Sequence, residues 1–299
     1  MIKSAASLCA AVLALLAASA TAQARCEGFV PGPKPQNASR DIVGQDLDQI
    51  QERGFIEFAV YEDFAPYSWE EKGRPRGVDI ELGRIIAEAL EVEPRFNFVA
   101  AGENVDADLR NYVWKGPIVG GRVSNVMIHV PYDSDLSCRT EQVVLTGQYF
   151  NERIAIAFRR DAYPEDPPVP AYFRFDLVGV ENDTISDFYL SSFAGGQLRA
   201  NVRRYTTPED AMAALAQGEV KAVMGPKSQL EHGLTPELDI HMPPLLGFST
   251  GEWTLGVAVN HRYRPLAYAV DDAVRAAFED GRLQTVFEDY GLSYTPAEW

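Results

Sequence analysis

The sequence is poor in basic charge, histidine and cysteine, and each shortage argues against a class of function. Its 299 residues carry 27 basic and 43 acidic side chains, a formal net charge of -16. Because phosphate binding needs a basic surface, this balance argues against nucleic acid as a partner and against docking on an anionic membrane. The 4 histidines show neither the H-x-x-H nor the H-E-x-x-H spacing of zinc enzymes. We therefore predict neither a metal nor a cofactor.

One catalytic motif is present, and its surroundings do not fit it. Residues 247–251 match the nucleophile elbow G-x-S-x-G, which needs a strand before the serine, a helix after it, and a later acid followed by a histidine. Here two prolines lie just upstream, a strand-like run follows, and the last histidine, His261, precedes the candidate acids. The motif is better explained as a glycine-bracketed turn into a strand. We predict that the protein is not an enzyme.

The longest apolar run lies at the N-terminus. Lys3 precedes an uninterrupted apolar stretch over residues 8–18, and small-x-small triplets end at Ala22 and Ala24. The run is shorter than the about 20 residues that a membrane-spanning helix needs. We expect residues 1–24 to be a cleaved signal peptide and the mature protein to be periplasmic, with no membrane span.

Removal of that segment leaves two of the three cysteines. Cys26 and Cys138 are then a single possible pair in an oxidising compartment. We predict that they form a disulfide, and two free or separately buried thiols are the alternative.

Strand and helix patterns alternate through the rest of the chain, which indicates an α/β fold with largely parallel sheets covered by helices. The predicted strands are residues 55–60, 95–99, 123–130, 143–145, 154–158, 176–180, 220–224 and 253–259. One helix has an apolar stripe at i, i+3, i+4, i+7 and i+8, formed by Leu82, Ile85, Ile86, Ala89 and Leu90. Thr184 is positioned to cap a second helix, whose predicted apolar face comprises Ile185, Phe188 and Phe193 and which ends at Gly195-Gly196.

Aromatic side chains are concentrated where predicted strands end. Phe64, Tyr67 and Trp69 follow the first strand. Trp114, Tyr132 and Tyr149 lie in other loops or at other strand ends. The carboxyl edge of a parallel sheet is where open α/β folds bind ligands, so these residues together predict an aromatic-lined cleft.

The order of several motifs resembles family 3 bacterial solute-binding proteins. The matching stretches are residues 54–56, 65–68, 76–82, 177–180, 206–215, 218–223 and 280–291. This resemblance extends from about residue 45 to about residue 293. It implies the two-lobed periplasmic binding protein fold of type II, in which two crossing strands form a hinge. Lobe 1 would comprise residues 25–158 and 251–299, and lobe 2 residues 159–250.

Two positions depart from the amino-acid binders of that family. Arg139 matches the arginine that holds the ligand carboxylate. The acid that holds the ligand amine is replaced by Pro226. Because proline cannot accept a charge, the ammonium of a free amino acid would stay unpaired in a closed cleft, which weakens the case for amino-acid capture.

Residues 126–131, 147–157 and 223–226 resemble a divergent branch of the family, the J components (MxaJ and XoxJ type) of pyrroloquinoline-quinone (PQQ)-dependent methanol dehydrogenases. This resemblance implies a non-catalytic accessory protein that binds the dehydrogenase, or a segment of it, to assist maturation or activation. The alternative is a receptor that delivers an amino acid-like solute to an ABC importer. The candidate cleft residues are Phe64, Tyr67, Trp69, Trp114, His129, Tyr132, Arg139, Tyr149, Thr184 and Pro226.

Overall fold

The computed structural model describes residues 46–119, 122–245, 247 and 251–298, and all of these belong to one compact unit. The predicted signal peptide, Cys26 and residues 248–250 lie outside the described residues. Cys138 is buried, and its pairing with Cys26 stays a prediction. Among the helices of the described residues, none is long and apolar enough to cross a membrane.

Eleven strands and nine α-helices make up the described part of the chain. The strands are β1 (Phe55–Tyr61), β2 (Trp69–Glu71), β3 (Arg74–Arg76), β4 (Glu93–Val99), β5 (Val126–Pro131), β6 (Val143–Arg159), β7 (Val178–Glu181), β8 (Val202–Tyr205), β9 (Ala222–Pro226), β10 (Leu238–His241) and β11 (Glu252–Asn260). The helices are α1 (Leu47–Arg53), α2 (Val78–Ala89), α3 (Val105–Leu109), α4 (Ser134–Arg139), α5 (Ile185–Gly196), α6 (Pro208–Gln217), α7 (Lys227–His232), α8 (Arg264–Glu279) and α9 (Arg282–Asp289). A π-helix (Arg110–Trp114) follows α3, and a 3-10 helix (Pro170–Arg174) precedes β7.

The main sheet has the strand order β4-β1-β5-β11-β6-β9-β7-β8, with β10 added against β6. In the first lobe β1 runs parallel to β4 and β5. In the second lobe β7 runs parallel to β8 and β9. The strands β6 and β11 run antiparallel to their neighbours and connect the two parallel groups. The predicted fold class, two lobes with mostly parallel sheets, is confirmed.

The strand β6 is the physical link between the lobes. Its first part pairs with β11, and its last part, residues 154–158, pairs with β9. The two strand pieces predicted at residues 143–145 and 154–158 are therefore one strand of 17 residues. The residue bounds predicted for the lobes stay a prediction.

Helices cover both faces of each parallel group, as the alternating pattern predicts. In lobe 1 the stripe on α2 is buried at Leu82, Ile85 and Ile86. Its fourth member, Ala89, is exposed, so the stripe is narrower than predicted. In lobe 2 Leu190 of α5 packs on one face of the sheet and Leu215 of α6 on the other.

The apolar face predicted for α5 is wrong. Ile185 and Phe188 are exposed, whereas Asp187 is buried beneath the helix. The reason is an ion pair, because both Asp187 carboxylate oxygens accept 2.8 Å hydrogen bonds from the guanidinium of Arg204 on β8. The predicted start is confirmed, since the Thr184 side chain caps the helix.

The pair between Asp187 and Arg204 makes a testable contribution to stability. Burial opposes ionisation of Asp187, yet hydrogen bonds from Arg204 and Ser191 hold the pKa of its carboxyl below the usual value. Its contribution is therefore complete above the unfolded pKa of about 3.9 and is lost as the pH falls through the folded pKa. We expect Asp187→Asn to lower the free energy of unfolding by about 1 kcal/mol at pH 7.

Urea unfolding of both proteins between pH 7 and pH 2.5 measures this difference. The two stabilities should converge at the acid end of the range. The exposed Asp272→Asn on α8 is the matched control and should follow the wild type throughout. A difference between Asp187→Asn and the wild type that does not change with pH would contradict the ion-pair explanation.

Candidate functional site

The turn that follows β1 carries Phe64 and Tyr67, two of the predicted aromatic residues. The backbones of Phe64 and Ser68 exchange two hydrogen bonds of 2.8 Å, and the Ser68 hydroxyl donates to the carbonyl of Tyr61 at 2.7 Å. The Tyr67 carbonyl accepts from the amide of Asp79 at 2.9 Å, which ties the turn to the first turn of α2. This closed turn fixes the Tyr67 side chain in a fully buried position.

His129 lies on a β-bulge in β5. Between two paired positions, Ile128 and His129 together oppose the single residue Val257 of β11. The φ angle of His129 is 64°, in the left-handed region, which costs a non-glycine residue about 1–3 kcal/mol. Bulges re-aim side chains and are frequent beside functional sites, and such strain persists where surrounding contacts fix the residue.

Asp79 is the acceptor at which side chains from three elements meet. Its carboxylate is completely buried in the first turn of α2, where the helix dipole favours a negative charge. One oxygen, Oδ1, accepts a 2.8 Å hydrogen bond from the Tyr149 hydroxyl on β6. The other, Oδ2, lies 3.1 Å from Nδ1 of His129 on β5. Burial, together with the Asp79 carboxylate, raises the pKa of Tyr149 well above its usual value, so this hydroxyl stays a donor.

A second buried carboxyl, Glu152, lies where β6 passes from one lobe to the other. The Tyr67 hydroxyl donates to its Oε2 at 2.7 Å, and the Ser228 hydroxyl donates to the same oxygen. The backbone amide of Arg153 supplies a third hydrogen bond, to Oε1 at 2.8 Å. Burial raises the pKa of Glu152, and the hydrogen bonds from Ser228, Tyr67 and Arg153 oppose that rise.

These groups form one connected set, here named the crevice cluster. Its members are Tyr67, Asp79, His129, Tyr149, Glu152 and Ser228. Rings also hold it together, because the His129 ring lies 4.1 Å from that of Tyr67 and 4.9 Å from that of Phe64, between centroids. Lobe 1, the crossing strand and lobe 2 all contribute a polar side chain to the cluster.

The cluster is acidic. In the described part of the chain, no arginine or lysine forms an ion pair with either Asp79 or Glu152. The partner of Asp79 Oδ2 is the His129 ring, whose Nδ1 lies 3.1 Å away. No group of three or more histidine, cysteine or acidic side chains in the described residues could hold a metal ion. The arrangement suits binding through hydrogen bonds and rings, with carboxyl groups that favour a positive charge.

Asp79, Glu152 and Ser228 did not appear among the candidate residues. Asp79 and Glu152 lie inside stretches that carry the family resemblance, so the sequence contained a positional signal but no indication of their role. Of the predicted residues, Tyr67, His129 and Tyr149 belong to the cluster, and Phe64 packs against it.

Three other predicted aromatic residues lie outside the cluster. Trp69 on β2 has its ring 5.9 Å from that of His232 on α7. Tyr132 follows β5, and its amide donates to the carbonyl of Thr254. Trp114 ends the π-helix and packs against a separate apolar group on the other face of lobe 1.

The remaining candidates have local partners. Arg139 forms an exposed ion pair with Asp106, with Nε and Oδ2 3.1 Å apart, so the structure places it at the surface and not in the crevice cluster. The Thr184 side chain caps α5. Pro226 ends β9, where it pairs with Ile154 of the crossing strand, two residues before Ser228.

No protein-family model and no curated protein matches the sequence. Solved structures do match. An ancestral cationic amino acid solute-binding protein is 17% identical, with a TM-score of 0.67 over 82% of this chain and 99% of its own. In a second structure the same ancestral protein is described as a precursor of cyclohexadienyl dehydratase.

Two other binding proteins give similar values. A mutant of ArgBP from T. maritima is 21% identical, with a TM-score of 0.56 over 82% of this chain and 98% of its own. A solute receptor for L-cysteine of Neisseria gonorrhoeae is 16% identical, with a TM-score of 0.56 over 82% of this chain and 93% of its own. At these identities the likeness concerns the fold, and the chain has the two-lobed fold of type II periplasmic binding proteins.

Proposed function

We propose that this protein is a non-catalytic periplasmic receptor that takes a small neutral or cationic solute into the crevice between its lobes. The observation that carries the proposal is the crevice cluster, in which buried polar groups from both lobes and from the crossing strand converge. A ligand site typically combines apolar walls with a few fixed polar groups. Here the aromatic rings of Phe64, Tyr67 and His129 supply the first, and Asp79 and Glu152 the second.

The charge of the cluster limits the chemistry of the solute. An anion would enter next to two buried carboxyl groups without a described lysine or arginine to pair with it, and an unpaired buried charge costs several kcal/mol. An ammonium or guanidinium group would instead meet carboxylates and aromatic faces, both of which favour a cation. The similar structures include a receptor for cationic amino acids, which agrees with this choice.

A free α-amino acid fits less well than an amine that lacks the carboxylate. The arginine that matches the family's carboxylate anchor, Arg139, is engaged with Asp106 at the surface. Pro226 stands at the position of the amine-binding acid and cannot accept a hydrogen bond through its side chain. The solute is therefore an amine or a neutral polar molecule, and an ABC importer is the partner that this role implies.

A second candidate is the accessory role for a PQQ-dependent methanol dehydrogenase. The observation that favours it is the close approach of the Tyr67 and Ser228 hydroxyl groups, whose oxygens lie 2.6 Å apart and which both donate to Glu152, so that the protein's own side chains join the lobes. A protein that binds its partner through its outer surface has no need to close on a solute. In that case the crevice cluster would hold the lobes in one fixed arrangement.

Thermal unfolding of the mature protein with a panel of amines, amino acids, neutral polar solutes and small organic acids separates these candidates. A solute at about 1,000 times its dissociation constant adds roughly 4 kcal/mol, and each kcal/mol raises the midpoint by about 2–4 °C. We expect such a rise with an amine or a neutral solute. Glu152→Gln should weaken the affinity for an amine at least tenfold and so reduce the rise in the midpoint. The exposed Glu279→Gln should leave both unchanged. If no solute stabilised the protein and a quinoprotein methanol dehydrogenase did, the receptor role would be overturned and the accessory role supported.

A further inference from the structure

Three separate segments of lobe 1 contact the same short helix of lobe 2. The helix is α7, Lys227–His232, which begins directly after β9. The segments are the turn that carries Tyr67, the strand β2 with Trp69, and the C-terminal tail with Ser293. Four of the helix's six residues are buried, and His232 at its C-terminal end is exposed.

The first contact is buried and polar. The hydroxyl groups of Tyr67 and Ser228 lie 2.6 Å apart, and both reach Oε2 of Glu152. Tyr67 and Ser228 are 161 positions apart in the chain and belong to different lobes. All three side chains are buried, so they contact one another directly and not through water. This contact therefore requires the two lobes to be packed together.

The second contact comes from the tail that follows α9. The backbone amide of Ser293 donates to Oε2 of Glu231 at 3.0 Å, and the Ser293 hydroxyl donates to the other oxygen, Oε1. Nζ of Lys227 donates to the Ser293 hydroxyl and forms an ion pair of 2.9 Å with Glu231. The tail is anchored in lobe 1, because the carbonyl of Thr295 accepts from the amide of Asn151 at 2.9 Å.

The third contact joins two rings. The Trp69 indole lies 5.9 Å from the His232 imidazole and 5.7 Å from the Tyr290 ring, between centroids. Since Ser228 and His232 are four positions apart, Tyr67 and Trp69 meet the same side of α7. Lys227 and Glu231, also four positions apart, form the neighbouring side, which meets the tail.

We infer that α7 is a latch: its contacts with Tyr67, Trp69 and the C-terminal tail hold the crevice closed. The latch regulates access to the solute site, so this role of α7 rests on the proposed receptor function. A solute reaches Asp79 and Glu152 only after α7 has moved away from lobe 1. A net hydrogen bond changes an equilibrium by roughly threefold to tenfold, so several together make the open form rare.

The test uses the purified mature protein alone, so its result does not depend on whether any solute binds. Tyr67→Phe removes the hydroxyl and keeps the ring, and Ser293→Ala removes one exposed hydroxyl. Controls of the same chemistry within lobe 2 are Tyr163→Phe, which loses a 3.0 Å hydrogen bond to Asp176, and Ser191→Ala, which loses contacts to Asp187 and Arg204. Backbone hydrogen exchange and small-angle X-ray scattering are measured for each protein.

For the double variant Tyr67→Phe with Ser293→Ala we expect exchange of α7 and of the tail to accelerate at least tenfold, with an increased radius of gyration. Exchange in α6 and α8 should not change, and both controls should resemble the wild type. An unchanged double variant would overturn the latch, and so would acceleration spread evenly over the chain. If the double variant does not fold, Ser293→Ala alone decides, with an expected acceleration of at least threefold confined to α7 and the tail.

Discussion

Gly77→Ala is expected to lower the free energy of unfolding by about 4 kcal/mol or more, a loss reserved for a few severe mechanisms. Gly77 is the N-cap of α2, and its φ of 120° is one that residues with a side chain rarely adopt. A Cβ at this position would lie 2.1 Å from the carbonyl oxygen of Tyr67. That oxygen accepts a hydrogen bond from the amide of Asp79. Relieving the clash would therefore displace Tyr67 and Asp79, two members of the crevice cluster.

Gly73→Ala is the matched control for this prediction. Gly73 also has a positive φ, 71°, but a Cβ there would meet no atom within 4 Å. Its replacement should cost only the backbone strain, about 1–2 kcal/mol. Urea unfolding midpoints at an unchanged slope measure both losses. Equal losses for the two variants would show that the approach of Gly77 to Tyr67 does not constrain the fold.

Asp79→Ala is expected to lower the free energy of unfolding by about 3 kcal/mol or more, because Tyr149 and His129 lose the buried carboxylate that they share. The Tyr149 hydroxyl is completely buried and donates to Asp79. His129, held in its strained conformation on the bulge, loses the same partner. Asp79→Asn should cost less, since the amide keeps one oxygen for Tyr149 and its NH₂ group can face an unprotonated Nδ1 of His129.

The control for Asp79 is Asp106→Ala. Asp106 also accepts hydrogen bonds from two side chains, those of Arg139 and Thr140, but its side chain is 42% exposed. Exposed ion pairs contribute about 0–1 kcal/mol, so this variant should lie close to the wild type. Denaturation of the three variants at pH 7 gives the comparison. A loss for Asp79→Ala no larger than that for Asp106→Ala would contradict the role of Asp79 as the central acceptor.

The sequence alone predicted the α/β alternation because it depends on local patterns. The strands β1, β4, β5, β7, β9 and β11 and the apolar stripe of α2 follow from periodicity within about ten residues. The strands β2, β3, β8 and β10 have only 3 or 4 residues each, one or two of them charged, so no apolar run marks them, whereas the equally short β7 lies in an apolar run. The face of α5 was misjudged because Arg204, on a later strand, makes burial of Asp187 favourable.

The candidate site was only partly predictable for a related reason. Aromatic residues at strand ends led to Tyr67 and Tyr149, and His129 lies in the stretch 126–131 that resembles the J components. Glu152 and Ser228 are polar residues that a pattern assigns to the surface, and their burial depends on partners as distant as 161 positions. The bulge that aims His129 depends on the register between β5 and β11, which no single segment encodes.

Native mass spectrometry of the mature protein identifies directly which solute the crevice binds. The protein is mixed with equal concentrations of an amine, a neutral polar solute, an acidic amino acid and a dicarboxylic acid, and the mass of the bound species is read. We expect one molecule of the amine or of the neutral solute per chain, with an amine complex weakened in Glu152→Gln and retained in Glu279→Gln. A complex with either acidic solute would contradict the proposed receptor function. So would an amine complex that is as stable in Glu152→Gln as in the wild type.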